Sequence, residues 1–125
     1  MPAKLSSVES DLLDAIRCSW GRDTSYEPDV WSLDNPAWGQ CAVTSLVIQD
    51  YFGGNLLRVT DGHATHYWNR VDGVDIDLTL MQFPSTPTWT SPAEFVDREY
   101  VLSWSETRVR YDRLRRRVAH LLAHR

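Results

Sequence analysis

The order of segments along the chain predicts an α+β domain built on an antiparallel sheet. Two segments with helical patterns come first, several short strand patterns follow, and one long helical pattern ends the chain. Helices and strands that are separated along the chain in this way are typical of α+β folds. Because the chain has 125 residues, we expect residues 1–125 to form a single domain.

The first half of the chain contains the two predicted helices. Leu5 to Trp20 has apolar residues at helical spacing, and an irregular loop is expected from Gly21 to Ala37. The pair Asn35-Pro36 is typical of a helix start, because Asn caps well and Pro suits the first turn. The apolar run from Cys41 to Phe52 ends at two glycines and predicts a mostly buried helix.

The strand patterns follow directly. Leu56 to Thr60 predicts one strand, and Thr65 to Val71 and Val74 to Thr79 predict two more. The last two strands are separated by Asp72-Gly73, which is a strong signal for a two-residue hairpin turn.

The last third of the chain is predicted to contain a loop, a strand and a helix. Phe83 to Pro92 is rich in Pro, Ser and Thr, which indicates a loop, and Tyr100 to Trp104 is predicted to be a last strand. Glu106 to Ala123 predicts a helix with one apolar side, formed by Tyr111, Leu114, Val118 and Leu121. The many arginines of this segment are interpreted as a solvated helix face.

Composition excludes several functional classes. The net charge of −4, from 13 basic and 17 acidic side chains, makes a nucleic-acid partner unlikely. No segment has the pattern of a secretory signal or the length of a membrane span, so we expect a cytoplasmic protein without a membrane partner. Two cysteines are too few for a disulfide framework, and both should be free thiols.

Cys41 is the candidate nucleophile because it lies near the predicted start of the central helix. Unpaired N–H groups and the helix dipole at such a position favour the reactive thiolate form. The alternative is that Cys41 is a small buried apolar residue, and Cys18 on the first helix is expected to be a buried structural thiol.

The predicted hairpin brings a histidine and a carboxylate together. A two-residue turn at Asp72-Gly73 places His66 opposite Thr79, and Asp77 then becomes a diagonal neighbour of His66, about 7–8 Å away between Cα atoms. A carboxylate that orients an imidazole beside a thiol is the arrangement needed for nucleophilic catalysis. We therefore expect Cys41, His66 and Asp77 to form a reactive group.

Three short motifs carry a resemblance to known families. The stretches Trp38-Gly39-Gln40-Cys41-Ala42, His66-Tyr67-Trp68-Asn69 and Ile76-Asp77-Leu78-Thr79 resemble the papain- and transglutaminase-like core. The stretch from Asn35 to Gly54 resembles the YunG-like bacterial family, and the likeness extends over most of the chain.

The resemblance implies a papain/transglutaminase-like core, in which a Cys-bearing helix packs on an antiparallel sheet. It also implies the site residues. Cys41, His66 and Asp77 match the catalytic cysteine, histidine and aspartate of that superfamily. Papain-like enzymes carry an oxyanion-hole Gln six residues before the cysteine, and this chain has Asn35 there and Gln40 directly before the cysteine. Gln40 and Asn35 are therefore candidate oxyanion donors, as are the indole N–H groups of Trp31 and Trp38.

The predicted function is acyl chemistry at a thiol, without a cofactor. Cys41 would attack an amide or ester of a small-molecule or peptide substrate, His66 would transfer the proton and Asp77 would orient His66. One alternative is a non-catalytic binding module on the same fold. A second is a metal-dependent hydrolase, in which His63 would complete a zinc site with the same three residues.

Overall fold

The computed structural model describes residues 7–62 and 64–124, so Leu5, Ser6, His63 and Arg125 lie outside the description. The α-helices and strands within these ranges are segregated along the chain as the α+β prediction requires, and the strands form one antiparallel sheet. Two 3-10 turns lie in connecting segments. Arg22–Thr24 is between the first two helices, and Leu80–Gln82 is between the third and fourth strands. The elements in chain order are α1 (Ser7–Ser19), α2 (Cys41–Phe52), β1 (Asn55–Asp61), β2 (Ala64–Val71), β3 (Val74–Ile76), β4 (Glu94–Val96), α3 (Arg98–Val101) and α4 (Ser105–Ala123).

Helix α2 lies between the sheet and the other two long helices. Val43, Val47 and Ile48 of α2 are buried against α1 and α4, while Leu46 packs with Leu56 of β1. This double contact explains why the α2 sequence is apolar nearly all round rather than on one stripe. The prediction of a mostly buried helix from Cys41 to Phe52 is confirmed at both ends.

The sheet has the strand order β3-β2-β1-β4, with every neighbouring pair antiparallel. The predicted hairpin turn is confirmed: Asp72 and Gly73 both have positive φ, at 50° and 78°, and Val71 pairs with Val74. Positive φ at both central residues is the requirement of a type I′ turn, whose twist matches that of the strands. Asn69 of β2 donates a hydrogen bond to the Ser45 carbonyl and so ties this hairpin to α2.

Three predicted boundaries are wrong. The strand from Val74 stops at Ile76 instead of Thr79, because the chain turns at Asp77 into the second 3-10 turn. No helix starts at Asn35-Pro36, since Gly39 adopts φ 72°, outside the helical region, and the helix begins only at Cys41.

The third error concerns Tyr100 to Trp104, which is not a strand. The free edge of β1 is already paired with β4, so the chain that follows β4 turns into the short helix α3. Arg98 of α3 forms an ion pair with Asp50 at 2.7 Å and donates a hydrogen bond to the Leu46 carbonyl, and these contacts fasten α3 to α2.

Helix α4 packs largely as predicted. Leu114 and Val118 are fully buried and Tyr111 is half-buried, but Leu121 is 37% exposed, and the neighbouring Leu122 packs on the core instead. Most arginines of α4 are exposed, in agreement with the solvated face.

The two thiols differ in environment. Cys18 is free and exposed, so the expectation of a buried structural thiol is wrong, and Cys41 is free and half-buried. Cys18 lies on the side of α1 opposite to the buried Leu12, Ile16 and their neighbours. Among the described helices, none combines the length and the apolar character needed to cross a membrane.

Candidate active site

His66 and Asp77 meet at the open end of the hairpin. The His66 Nε2 atom lies 2.7 Å from Asp77 Oδ2, even though the β2–β3 ladder ends at the pair of Asn69 and Ile76. Because an ionised carboxylate only accepts hydrogen bonds, the imidazole must carry its proton on Nε2 when it is neutral. The other ring nitrogen, Nδ1, is then an acceptor, and it is buried with no hydrogen-bond partner among the described residues.

Aromatic rings enclose the imidazole. Trp68 and Trp89 stack on His66 with ring centroids 5.7 Å away in each case, and Phe83 makes an edge contact at 5.3 Å. As a result His66 is only 1% exposed. Trp89 belongs to the loop that follows the second 3-10 turn, and Thr90 in this loop donates a hydrogen bond to Asp61 of β1.

The environment makes His66 a strong base. Burial is the largest effect and by itself lowers the pKa of His66, but hydrogen bonding and charge attraction with Asp77 and Cys41 together outweigh it and raise this pKa to about 9. The Cys41 thiol therefore acts on the imidazole, although it makes no well-formed hydrogen bond to Nδ1. Loose contacts of this kind are common in active sites without substrate.

Cys41 is the first residue of α2. The Sγ atom lies 4.0 Å from the Thr65 carbonyl oxygen of β2, beside His66 in the chain. The first backbone bond of the helix runs from Thr44 N–H to the Gln40 carbonyl, and no side chain caps the helix start. The backbone N–H groups of the first turn thus have no helical acceptor and are directed towards the thiol end of the helix.

The chain before Cys41 is held by close packing. Gly39 has φ 72°, and a Cβ atom there would lie 2.4 Å from Ser25 Oγ and 2.8 Å from Tyr26 N. The Tyr26 N–H donates to the Gly39 carbonyl, and the Ser25 hydroxyl donates to the Trp38 carbonyl. Only glycine satisfies both the backbone angle and this close approach.

Two of the candidate oxyanion donors have structural roles instead. Gln40 is 0% exposed, its Nε2 donates to the Gly21 carbonyl, and its Oε1 accepts from the Thr24 hydroxyl. Asn35 donates through Nδ2 to the Gln82 carbonyl at 2.8 Å. Each amide nitrogen donates to a carbonyl of the surrounding chain and neither residue lines the cavity of Cys41, so the structure does not support the expectation that Gln40 and Asn35 donate to an oxyanion.

The two candidate indole N–H groups differ in whether they have a hydrogen-bond partner. Trp31 Nε1 donates to the Pro36 carbonyl, whereas Trp38 Nε1 is buried and has no partner within the described chain. An unpaired buried N–H is costly, so it marks a position where a further acceptor can bind.

A cavity of about 450 Å³ joins these groups. Cys41, His66 and Trp38 line it, whereas Gln40, Asn35 and Trp31 do not. The volume is that of a small-molecule site. Five further aromatic residues line it together with polar and small side chains: Tyr26, Tyr67, Phe83, Tyr100 and Trp104.

Sequence reasoning missed several residues of this cavity. Gln82 accepts from Gly39 N–H and donates to Thr79 Oγ1, so it links the chain before Cys41 to the chain after Asp77. The cavity arginines, Arg58 and Arg110, come from β1 and α4, and no local pattern marks them. The only signal was the unusual number of six Trp and five Tyr.

The predicted zinc arrangement requires His63 together with Cys41, His66 and Asp77. Within residues 7–62 and 64–124, no three His, Cys, Asp or Glu side chains form a group that could hold a metal ion. His63, the fourth residue of that hypothesis, lies outside the described residues.

Comparisons with known proteins identify a family. A family model described as "YunG protein" matches residues 8–123. A protein of Bacillus subtilis (strain 168), described as "Uncharacterized protein YunG", is 40% identical over 68 residues. That match covers 54% of this chain and 56% of the relative, so it spans about half the length of the curated relative. No solved structure matches the chain.

Proposed function

The chain belongs to the YunG family, and we propose that this member is a thiol-dependent hydrolase or acyltransferase that acts on an amide or ester. The observation that carries the proposal is the contact of 2.7 Å between His66 Nε2 and Asp77 Oδ2, with Nδ1 buried and unpaired among the described residues and His66 lining the same cavity as Cys41. A carboxylate, an imidazole in a defined tautomer and a thiol are the three parts of a nucleophilic site.

The proposed reaction assigns one role to each residue. Cys41 Sγ attacks the carbonyl carbon as a thiolate, forming a C–S bond, while its proton resides on His66 Nδ1. When the C–N or C–O bond breaks, His66 gives this proton to the leaving group. Water or another acceptor then adds to the thioester, loses a proton to His66 and releases Cys41. Asp77 keeps the ring in place through Nε2.

Two kinds of donor could stabilise the oxyanion. Trp38 Nε1 is a buried donor in the cavity wall without a partner among the described residues. The backbone N–H groups at the start of α2 lack helical acceptors and lie next to the nucleophile. We assign the oxyanion to these groups in place of the side chains of Gln40 and Asn35.

The same arrangement supports a finer fold assignment. A helix with Cys at its first residue, packed on an antiparallel sheet that carries His66 and Asp77, resembles a papain- or transglutaminase-like core. We propose that the domain has such a core and that this core holds Cys41, His66 and Asp77 together.

The reactivity of Cys41 tests the function. Iodoacetamide at about pH 6 should alkylate Cys41 at least about tenfold faster than Cys18, because an ordinary thiol is almost fully protonated there. Exposed Cys18 is an internal reference for an ordinary thiol. Peptide mass spectrometry over a time course measures both rates in one sample.

Two variants complete the test. His66→Gln should remove the advantage of Cys41, whereas His124→Gln, an exposed histidine that directly follows α4, should leave it unchanged. Active wild-type protein should also form a thioester with an activated ester, seen as added mass on Cys41. Equal rates at Cys41 and Cys18, with no thioester, would instead favour a non-catalytic binding module on this fold.

A further inference from the structure

Arg110 of α4 lies in the wall of the same cavity as Cys41. Its guanidinium stacks over the Tyr26 ring, 5.6 Å from the centroid, and its Nη2 donates to Thr107 Oγ1 at 3.2 Å. These two contacts fix the plane of the group at the side of the cavity. Guanidinium groups held in this way lose little freedom when they bind a ligand.

Most donors of Arg110 are unused. Nε is buried and has no hydrogen-bond partner within the described chain, and no described carboxylate lies within ion-pair distance. Glu27 also lines the cavity but forms no ion pair with Arg110. The second cavity arginine, Arg58, differs because Glu94 neutralises it at 2.6 Å.

The position is costly for a cation without a partner. Burial lowers the pKa of Arg110, and attraction to the Glu106 carboxylate, the largest opposing effect, offsets this only in part. A half-buried cation is stabilised most by an anion that makes hydrogen bonds with it. Glu106 forms no ion pair with Arg110, so the guanidinium has no directly bonded anion among the described residues, and the cavity offers it a site for one.

We propose that Arg110 binds a carboxylate of the substrate, so that the acyl donor carries an acidic group attached to an apolar, aromatic-compatible body. The planar fork of a guanidinium matches a carboxylate, and the aromatic wall formed by Tyr26, Tyr100 and Trp104 suits the apolar body. The word substrate rests on the proposed function, whereas the anion site rests on the cavity alone.

Protection of Cys41 from alkylation tests the site. At about pH 8.5 an ordinary thiol also reacts with iodoacetamide, so the test does not need an activated cysteine. The ligands are 3-phenylpropanoate and its neutral analogue 3-phenylpropanamide, at equal concentrations. The carboxylate should slow alkylation of Cys41 at least about threefold more than the amide does, while Cys18 reacts at the same rate with either.

Variants of α4 show whether Arg110 is responsible. Arg110→Gln should abolish the preference for the carboxylate, and Arg110→Lys should keep part of it, because charge remains without the fork. Arg108→Gln, an exposed arginine two residues away, is the matched control and should behave as wild type. Thermal unfolding verifies that each variant is folded. If Arg110→Gln does not fold, the result for Arg110→Lys decides the outcome.

The outcomes separate this inference from the proposed function. Equal protection by the two ligands, no protection by either, or a preference that survives in the Arg110 variants would overturn the anion site. Protection that depends on Arg110, combined with slow alkylation of Cys41 at pH 6, would retain the anion site and reject the catalytic thiol.

Discussion

Replacement of Asp77 with asparagine should change how the stability of the protein depends on pH. In the folded protein the pKa of His66 is raised from 6.5 to about 9, by about 2.5 units, which corresponds to about 3 kcal/mol in favour of the protonated folded state. The imidazole is 1% exposed, so solvent screens this energy little. Asp77→Asn removes the carboxylate charge and leaves only Cys41 to oppose the effect of burial.

The sign of the effect follows from proton binding. The unfolded chain releases the His66 proton near pH 6.5, whereas the folded chain holds it up to about pH 9. The stabilisation is therefore complete below about pH 6.5, decreases between pH 6.5 and 9, and is absent above that range. In Asp77→Asn the pKa of His66 should fall, and the loss over this pH range should shrink to about 1 kcal/mol or less.

Urea unfolding at a series of pH values from about 6 to 9.5 measures the free energy of unfolding for each chain. The reference is His66→Gln, which lacks the titrating ring, and its difference from wild type isolates the coupled titration. NMR of the histidine Cε1–H signals gives the pKa of His66 directly. The reasoning fails if wild type and His66→Gln lose stability equally over this range, or if Asp77→Asn keeps the full wild-type loss.

Three further predictions concern packing, and urea unfolding at neutral pH tests each of them. Gln40→Leu should cost about 1–3 kcal/mol, because it removes the hydrogen bonds of a fully buried amide to the Thr24 hydroxyl and the Gly21 carbonyl, and a neutral effect would contradict this role. Gly39→Ala should cost about 1–3 kcal/mol more than Gly73→Ala, since both glycines have similar positive φ but only the first would clash, and equal costs would refute the close approach. Leu114→Ala should cost about 2–5 kcal/mol and Leu121→Ala well under that, as the first side chain is fully buried and the second is 37% exposed; the reverse order would refute the packed face of α4.

Elements with strong local signals were predicted well. The bounds of α2 follow from an apolar run closed by Gly53, whose N–H bonds to the Gln49 carbonyl. The hairpin register follows from Asp72 and Gly73, because few dipeptides adopt positive φ at both positions. The pairing of His66 with Asp77 was accessible for the same reason, since side-chain alternation continues for one residue beyond the end of β3.

Features that depend on which of several partners a group finds were predicted wrongly. Tyr100 to Trp104 has residues that suit a strand. However, β1 is paired with β2 on one side and with β4 on the other, so it offers this segment no edge. Gln40 looked like a donor beside the nucleophile, and yet a hydroxyl and a carbonyl from the preceding loop bind both ends of its amide. Sequence spacing does not reveal which of several possible partners a polar group finds.

The buried helix from Cys41 to Phe52 and the neighbours within the hairpin could be predicted from the sequence, because turn conformation and side-chain alternation act over a few residues. The tertiary structure alone decided what surrounds those residues. It brought Cys41 of α2 beside His66 of β2, stacked Trp89 on the imidazole and set Arg110 of α4 in the same cavity. Such contacts join residues far apart in the chain, and they form only when the packing of α2 between the sheet and α4 buries the apolar surface of all three.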